Sequence, residues 1–410
     1  MSQPWIKEYI LLALRLDKAL KRLDDRPFVD YFYGPAELKA SVESDPEIPT
    51  EDLVRAAIAL EDSLPSQGFE VERANFLEKH IRTMEILCRK LAGQKFVLRE
   101  VIQQCLDIQP VWKPEAEFEQ ALVLLDEALP GTGDLRGRYF SLLERTTVPL
   151  DRSELVLPLM QRILTEARRR TQRFVELPEE EELEIYTIRE QPYGAANWYL
   201  GNYRSRLELN VTRPVNLFAL LYQMCHECYP GHHTEFVLKE KHLYHNRGYL
   251  EQSIFIIGPQ LVITEGIASL ALEMIFTPDE IATWITKQIY SEVGLKVNDI
   301  DLPKLIPALA ANMLDDLGNN LMIMLWDGRS DEEIVEYALA YTPHTENQIR
   351  KALQSLKSPL DQIYALTYYQ GKRLIQALFQ DNNRHQVFHR LLTEPVYPSL
   401  LTEWIDAKGA

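Results

Sequence analysis

The stretch Met224–Phe236 reads MCHECYPGHHTEF, and its histidine spacing decides how the C-terminal half is read. In the helical zinc pattern H-E-x-x-H, two imidazoles stand one turn apart and the glutamate serves as general base. Here the fourth residue after His226 is Pro230, followed by Gly231, His232 and His233. On an unbroken helix His232 would point about 240° away from His226, and His233 would share its side but lie roughly 10 Å further along the axis. Neither arrangement lets two imidazoles reach one ion at about 2 Å. Pro230 cannot donate to the carbonyl of His226 and crowds it, while Gly231 can take a positive φ. The sequence therefore predicts a kink or bulge that folds the extra residues out and brings His232 to the ion. His233 then lines the cleft, and remains the alternative ligand.

Upstream, Leu217, Leu220, Leu221, Met224 and Cys228 form an apolar stripe at helical spacing, with His226 roughly opposite its centre. Five of the nine histidines fall between His226 and His245, and such a cluster beside a carboxylate supplies the ligands Zn²⁺ prefers. Downstream, Gln260–Phe276 (QLVITEGIASLALEMIF) carries only two charges, Glu265 and Glu273. A helix apolar on nearly every side is buried, and buried carboxylates are rare unless paired or metal-bound. Glu265 is thus the expected third ligand, and Glu273, two turns on, is expected to orient a ligand histidine. Glu227 is placed to take a proton from a metal-activated water.

Two other spacings compete. Cys225-x-x-Cys228 has only Cys88 and Cys105 to complete a four-cysteine site, and both residues lie on or beside the apolar face, so core packing is expected. His385-x-x-x-His389 has no adjacent glutamate and is read as surface or packing. Neither a G-x-S-x-G elbow nor a G-x-x-x-x-G-K-[ST] loop is present.

The whole chain has 410 residues, 46% hydrophobic and 26% charged, with a net charge of −17. This is globular composition, and the acidity argues against a nucleic-acid partner, which needs a basic stripe. The basic run Arg168–Arg170 is read as a solvated helix face. The longest apolar runs fall short of the roughly 18 residues of a membrane helix, so no membrane partner is expected. The N-terminal amphipathic segment reads as a first helix, not a signal peptide, and four cysteines in so long a chain suggest the cytoplasm. Oligomeric state is not legible.

Helical periodicity runs from Pro4 to about Val175, for example in Glu51–Leu64, Glu70–Leu91 and Ser153–Arg173. LPGTG at Leu129–Gly133 is a turn. Between Leu183 and Val211 the pieces LEIYTIR, NWYL and SRLELNV are β-prone, and helices resume from Pro214. The expected fold is mainly α with one small β-sheet, a large helical body with a metal site in a groove. It divides into a helical region 1–182 and a region 183–410 that carries the expected metal site, or forms one continuous body.

The segment His226–His233, HECYPGHH, resembles the H-E-x-x-P-G-H-H signature of a large bacterial family of unknown function placed in the thermolysin-like (gluzincin) zinc metallopeptidase superfamily. EGIASLAL with Glu273 resembles that family's E-G-W-A-x-Y-x-E, with Ile267 in place of tryptophan. ALTYYQG at Ala365–Gly371 resembles its A-L-x-Y-x-x-G and aligns Tyr368 with its tyrosine. A phenol there can donate to an oxyanion, or simply pack with its hydroxyl satisfied. DLGNN at Asp316–Asn320 is similar to D-T-G-L-H, with Asn320 where histidine is usual. Asn312, Asp315, Asp316, Asn319 and Asn320 form a polar stripe that lines the cleft or faces water. The resemblance covers about Ser205–Ile375, and the strand Ser205–Val211 is expected to offer an edge to an extended peptide.

The resulting expectation is a zinc-dependent peptidase with His226, His232 and Glu265 on the metal and Glu227 and Tyr368 as catalytic groups. The alternatives are a metal-dependent amidase acting on a small non-peptide substrate, and a non-catalytic metal-binding scaffold.

Overall fold

The computed structural model describes residues 2–21, 27–46, 48–191, 193–294, 299–312, 314–358, 361–380 and 383–409. Helices dominate, as the periodicity requires. Those that position the site are α1 (Ser2–Leu20), α2 (Val71–Leu91), α3 (Val156–Thr171), α4 (Leu217–Glu227), α5 (His232–Lys239), α6 (Pro259–Ile275), α7 (Leu302–Ala311), α8 (Leu314–Trp326) and α9 (Thr367–Leu378).

Among the described residues, three small sheets replace the single one expected. Strands β1 (Val29–Phe32) and β7 (Ile254–Ile256) pair antiparallel, as do β2 (Thr147–Val148) and β6 (Val215–Asn216). These pairs join chain segments far apart in sequence, which local patterning cannot announce. The third sheet holds β3 (Glu182–Ile188), β4 (Ala195–Gly201) and β5 (Arg204–Asn210) in the order β3-β5-β4. The strand expected to offer an edge, β5, is therefore central: β3 runs parallel to it and β4 antiparallel. Its alternate residues Ser205, Leu207 and Leu209 are buried, and the free edges belong to β3 and β4.

A continuous apolar core runs from Ile6 and Ile10 of α1 through Leu77 and Ile81 of α2 to Val262 and Ile267 of α6. Helix α6 starts with Pro259 in its first turn, where the missing N–H costs no hydrogen bond. It is buried along nearly its whole length. It crosses α9 at backbone contact: a Cβ on Gly266 would lie 2.6 Å from the carbonyl carbon of Gly371, and one on Gly371 would lie 2.0 Å from the Val262 oxygen. Only two glycines permit that approach.

Within Arg168–Arg170 only Arg169 is a solvated residue of the kind expected, 55% exposed. Arg170 is 8% exposed, donates to the Ile275 carbonyl at 2.8 Å and lies over the Phe276 ring, while Arg168 bonds Glu181 at 2.9 Å. Among the described residues no single helix is long and apolar enough to cross a membrane.

Candidate metal centre

The site is built on the break between α4 and α5. The side chain of Asn216 caps α4 by accepting from the Phe218 and Ala219 N–H groups. The helix ends at Glu227, the Tyr229–Pro230 peptide is cis, and α5 opens at His232. Gly231 donates to the Cys225 carbonyl at 3.1 Å, and Thr234 donates to the Cys228 carbonyl from both its N–H (3.1 Å) and its hydroxyl (2.9 Å). Carbonyls left without helical donors are thereby satisfied. Gly231 is required for close approach and not for a positive φ: its φ is −75°, and a Cβ would stand 1.8 Å from the His226 carbonyl oxygen.

This turn and the burial of α6 bring His226, His232 and Glu265 together, with one ligand atom from each inside a 4.8 Å sphere of mutual distances. His226 Nε2 lies 3.4 Å from Glu265 Oε2, and His232 Nε2 lies 3.7 Å from Oε1. Tetrahedral ligands at about 2 Å from one ion stand about 3.3 Å apart, so the spacing fits a Zn²⁺-sized ion. Oε2 of Glu265 is buried without a hydrogen-bond partner, an arrangement an apolar core does not tolerate well unless something else pairs with the group. The donor set can hold a metal ion.

The electrostatics agree with a cation-ready group. Burial would raise the Glu265 carboxyl, but His232, His226 and the Tyr364 hydroxyl outweigh it and hold the group below its usual range. Burial drives His232 down to about 4, keeping the imidazole neutral and able to ligate. Glu227, half-buried beside this group, is lifted to about 7 by burial, with Glu265 and Asp30 adding and His226 opposing. A carboxylate of that basicity suits proton transfer near neutral pH. Its backbone carbonyl accepts from Asn197 Nδ2 at 2.6 Å, tying the metal helix to β4.

Tyr368 stacks near His226, with ring centroids 6.2 Å apart, and Tyr222 flanks the same imidazole at 5.6 Å. Both line a groove of about 360 Å³ that also takes in Ser269, Leu272 and Asp316. Sequence reasoning missed Tyr364, whose hydroxyl donates to Glu265 Oε1; its position one turn before Tyr368 was the available signal. It also missed Glu235, one turn after His232. Glu235 accepts from the Lys239 ammonium and from Thr264 Oγ1 at 2.9 Å, locking α5 to α6 beside Glu265. The Glu235-Lys239 pairing at i,i+4 is visible in sequence, but its burial is not.

Three expected positions fall elsewhere. His233 does not line the cleft: it is fully buried on the opposite side of α5, with Nδ1 2.7 Å from Ser205 Oγ and Nε2 2.7 Å from Glu181 Oε1. Burial works against the Glu181 carboxyl, but His233, Tyr229 and Arg168 together pull it down to about 2. The serine, histidine and glutamate resemble a nucleophilic triad, yet Ser205 is sealed in the core and cannot meet a substrate. Glu273 does not orient a ligand histidine: it emerges on the exposed end of α6, 3.6 Å from Arg384. Asn320 does not line the cleft. It bonds both backbone groups of Lys113 at 2.9 and 2.8 Å and the Tyr337 hydroxyl at 2.8 Å. With Asn319, which donates to the Val111 carbonyl, it anchors the connection Val111–Lys113. Asp316 lines the groove, and the side chain of Asp315 lies outside the described residues.

The remaining motifs settle into packing. All four cysteines are free and buried, and His385 Nε2 donates to the Met274 carbonyl at 3.0 Å while its ring stacks on Phe174.

Among solved structures, the fold is similar to a candidate lipoprotein from Colwellia psychrerythraea, with a TM-score of 0.54 and 14% identity over 87% of this chain and 70% of that one. It is also similar to a candidate lipoprotein of unknown function from Shewanella oneidensis, with a TM-score of 0.51 and 12% identity over 90% and 76% of the two chains. At these identities the likeness is one of fold. No protein-family profile and no curated protein matches the sequence.

Proposed function

We propose that the protein is a zinc-dependent hydrolase of peptide bonds. The observation that carries this reading is the convergence of His226, His232 and Glu265 with the basic Glu227 beside them, next to a groove whose Tyr222 and Tyr368 flank His226. A divalent zinc ion held by these three residues supplies Lewis acidity toward an amide carbonyl and its attacking water. Glu227 accepts the water proton and returns it to the leaving amine, a role matched to a carboxylate titrating near 7. Tyr368 hydrogen-bonds the oxyanion as charge develops on it, and Tyr364 holds Glu265 in its ligating orientation. The free edge of β4, tied to Glu227 through Asn197, offers backbone groups to an extended substrate.

The likeness of HECYPGHH to the gluzincin-related signature supports the same reading. So does the ligand set, since His226, His232 and Glu265 would supply the three protein ligands usual for a catalytic zinc. The compartment is read in two ways: four free thiols favour the cytoplasm, while the fold neighbours' lipoprotein descriptions favour the cell envelope; fractionation decides.

The test is metal analysis and hydrolysis of a mixed peptide library by the same sample, alongside Glu227→Gln. Wild type should hold one zinc per chain and turn over peptide. Glu227→Gln should keep the zinc and lose at least about 100-fold in turnover. Zinc without turnover in wild type favours the scaffold reading, and wild-type activity in Glu227→Gln removes the assigned base.

A further inference from the structure

The groove beside the metal centre is asymmetric in a way that selects one end of a substrate. One wall is the face of α6 with Ser269 and Leu272, continued by Phe276 just after the helix; Ser269 stands one turn beyond Glu265. The second is the face of α9 carrying Tyr368, Lys372 and Gln376, each one turn apart. Apolar residues of α7, Ile306, Pro307 and Ala310, form the third wall. The inner end of the groove is formed by Tyr222 and Tyr368, the two rings that flank the imidazole of His226, and the groove runs outward between apolar surfaces.

Its charges are few, and they are not equally paired. Asp316 Oδ2 lies 2.6 Å from the buried ammonium of Lys113, so its charge is already matched at contact distance. Lys372 stands further off, 3.8 Å from the same oxygen, and is more exposed than either member of that pair. At the rim Glu273 and Arg384 face each other at 3.6 Å. The lining itself carries two charges of each sign, Lys372 and Arg384 against Asp316 and Glu273, but Lys113 behind the wall already neutralises Asp316 at closer range than Lys372 does. The cation facing the groove whose nearest carboxylate is already engaged is Lys372.

We propose that this groove binds the C-terminal residue of short peptides that end in an apolar side chain, with Lys372 receiving the α-carboxylate. The inference rests on the peptidase reading of the metal centre and gives it a direction of cut. Lys372 is one helical turn, about 6 Å, beyond Tyr368, and an extended residue spans about 3.3–3.6 Å. The carboxylate thus sits one or two residues past the bond held at the metal centre, so the protein removes residues from the carboxyl end. A peptide amide, or a chain continuing past the groove, brings no anion to Lys372.

The experiment measures binding apart from turnover. Calorimetry on the Glu227→Gln protein compares N-acetyl-Ala-Ala-Leu-Phe with its C-terminal amide. The acid should bind about tenfold tighter, as one charge-assisted contact implies. Adding Lys372→Gln should weaken the acid to the level of the amide and leave the amide unchanged. Adding Ala310→Phe, which fills the groove from its exposed wall, should weaken both. Equal binding of acid and amide, retention of the preference in Lys372→Gln, or binding of neither peptide overturns the proposal. Failure of the peptidase reading shows separately, as intact peptide after incubation with zinc-loaded wild type that binds the acid.

Discussion

Gly231→Ala tests the turn on which the metal centre depends. A Cβ at this position would stand 1.8 Å from the His226 carbonyl oxygen and 2.5 Å from that of Cys225, where ordinary contact begins near 3.4 Å. Both obstacles are backbone, so no side chain can swing aside. The chain has to open by more than an ångström, which breaks the 3.1 Å bond from Gly231 N–H to the Cys225 carbonyl. Overpacking of this kind costs about 1–3 kcal/mol, and loss of a buried backbone hydrogen bond adds roughly 1 kcal/mol. A destabilisation of about 2–4 kcal/mol follows. The displaced residue adjoins His232, and ligand distances tolerate only about 0.2 Å. Zinc affinity should therefore fall by more than the roughly 10- to 100-fold that loss of an orienting partner costs. Urea unfolding reads the first quantity, and zinc titration of the folded, metal-stripped protein reads the second. Gly318→Ala on α8 is the control: nothing lies within 4 Å of its Cβ position, so stability should hold or rise by up to about 1 kcal/mol with zinc binding intact. Wild-type stability and wild-type zinc affinity in Gly231→Ala would refute the close-approach argument.

Zinc titration should also rank the ligand variants: His232→Ala and Glu265→Gln lose tight binding, whereas His233→Ala and Glu273→Gln keep it. His233→Ala should instead lower stability by about 2–3 kcal/mol by removing a charge-assisted bond from buried Glu181, and the opposite order of zinc retention would exchange the two histidines' roles. The pH dependence of stability should carry a contribution from His80, buried in α2 and pushed down to about 4 chiefly by that burial. Because its folded value lies below the ordinary 6.5, the unfolded chain takes up a proton that the folded chain declines. Stability from this residue is full above pH 6.5 and is lost as pH falls toward 4, by about 3 kcal/mol in all. Urea midpoints at pH 7 and 4.5 should show a steeper loss for wild type than for His80→Leu, and parallel losses would exclude the residue.

Much of this protein was determined locally and could be read from its sequence. The helical periods of α2 and α3, the three strands between Glu182 and Asn210, and the break at Pro230–Gly231 follow from side-chain spacing and from two residues with special backbone chemistry. The burial of Glu265 followed from the apolar surroundings of its own helix. Tertiary structure decided what those local rules leave free. An α6 apolar on all sides does not say where it leaves the core, so Glu265 meets two imidazoles while Glu273, two turns on, reaches solvent. HH does not say which ring turns to the ion; Ser205 and Glu181, from the β3-β5 region, claim His233. Tyr364 reaches Glu265 across 99 positions only because Gly266 and Gly371 let two helices touch backbone to backbone. Periodicity reports the geometry of one element, whereas a binding site is made by the contact of several, and that contact is set by packing between residues the sequence keeps far apart.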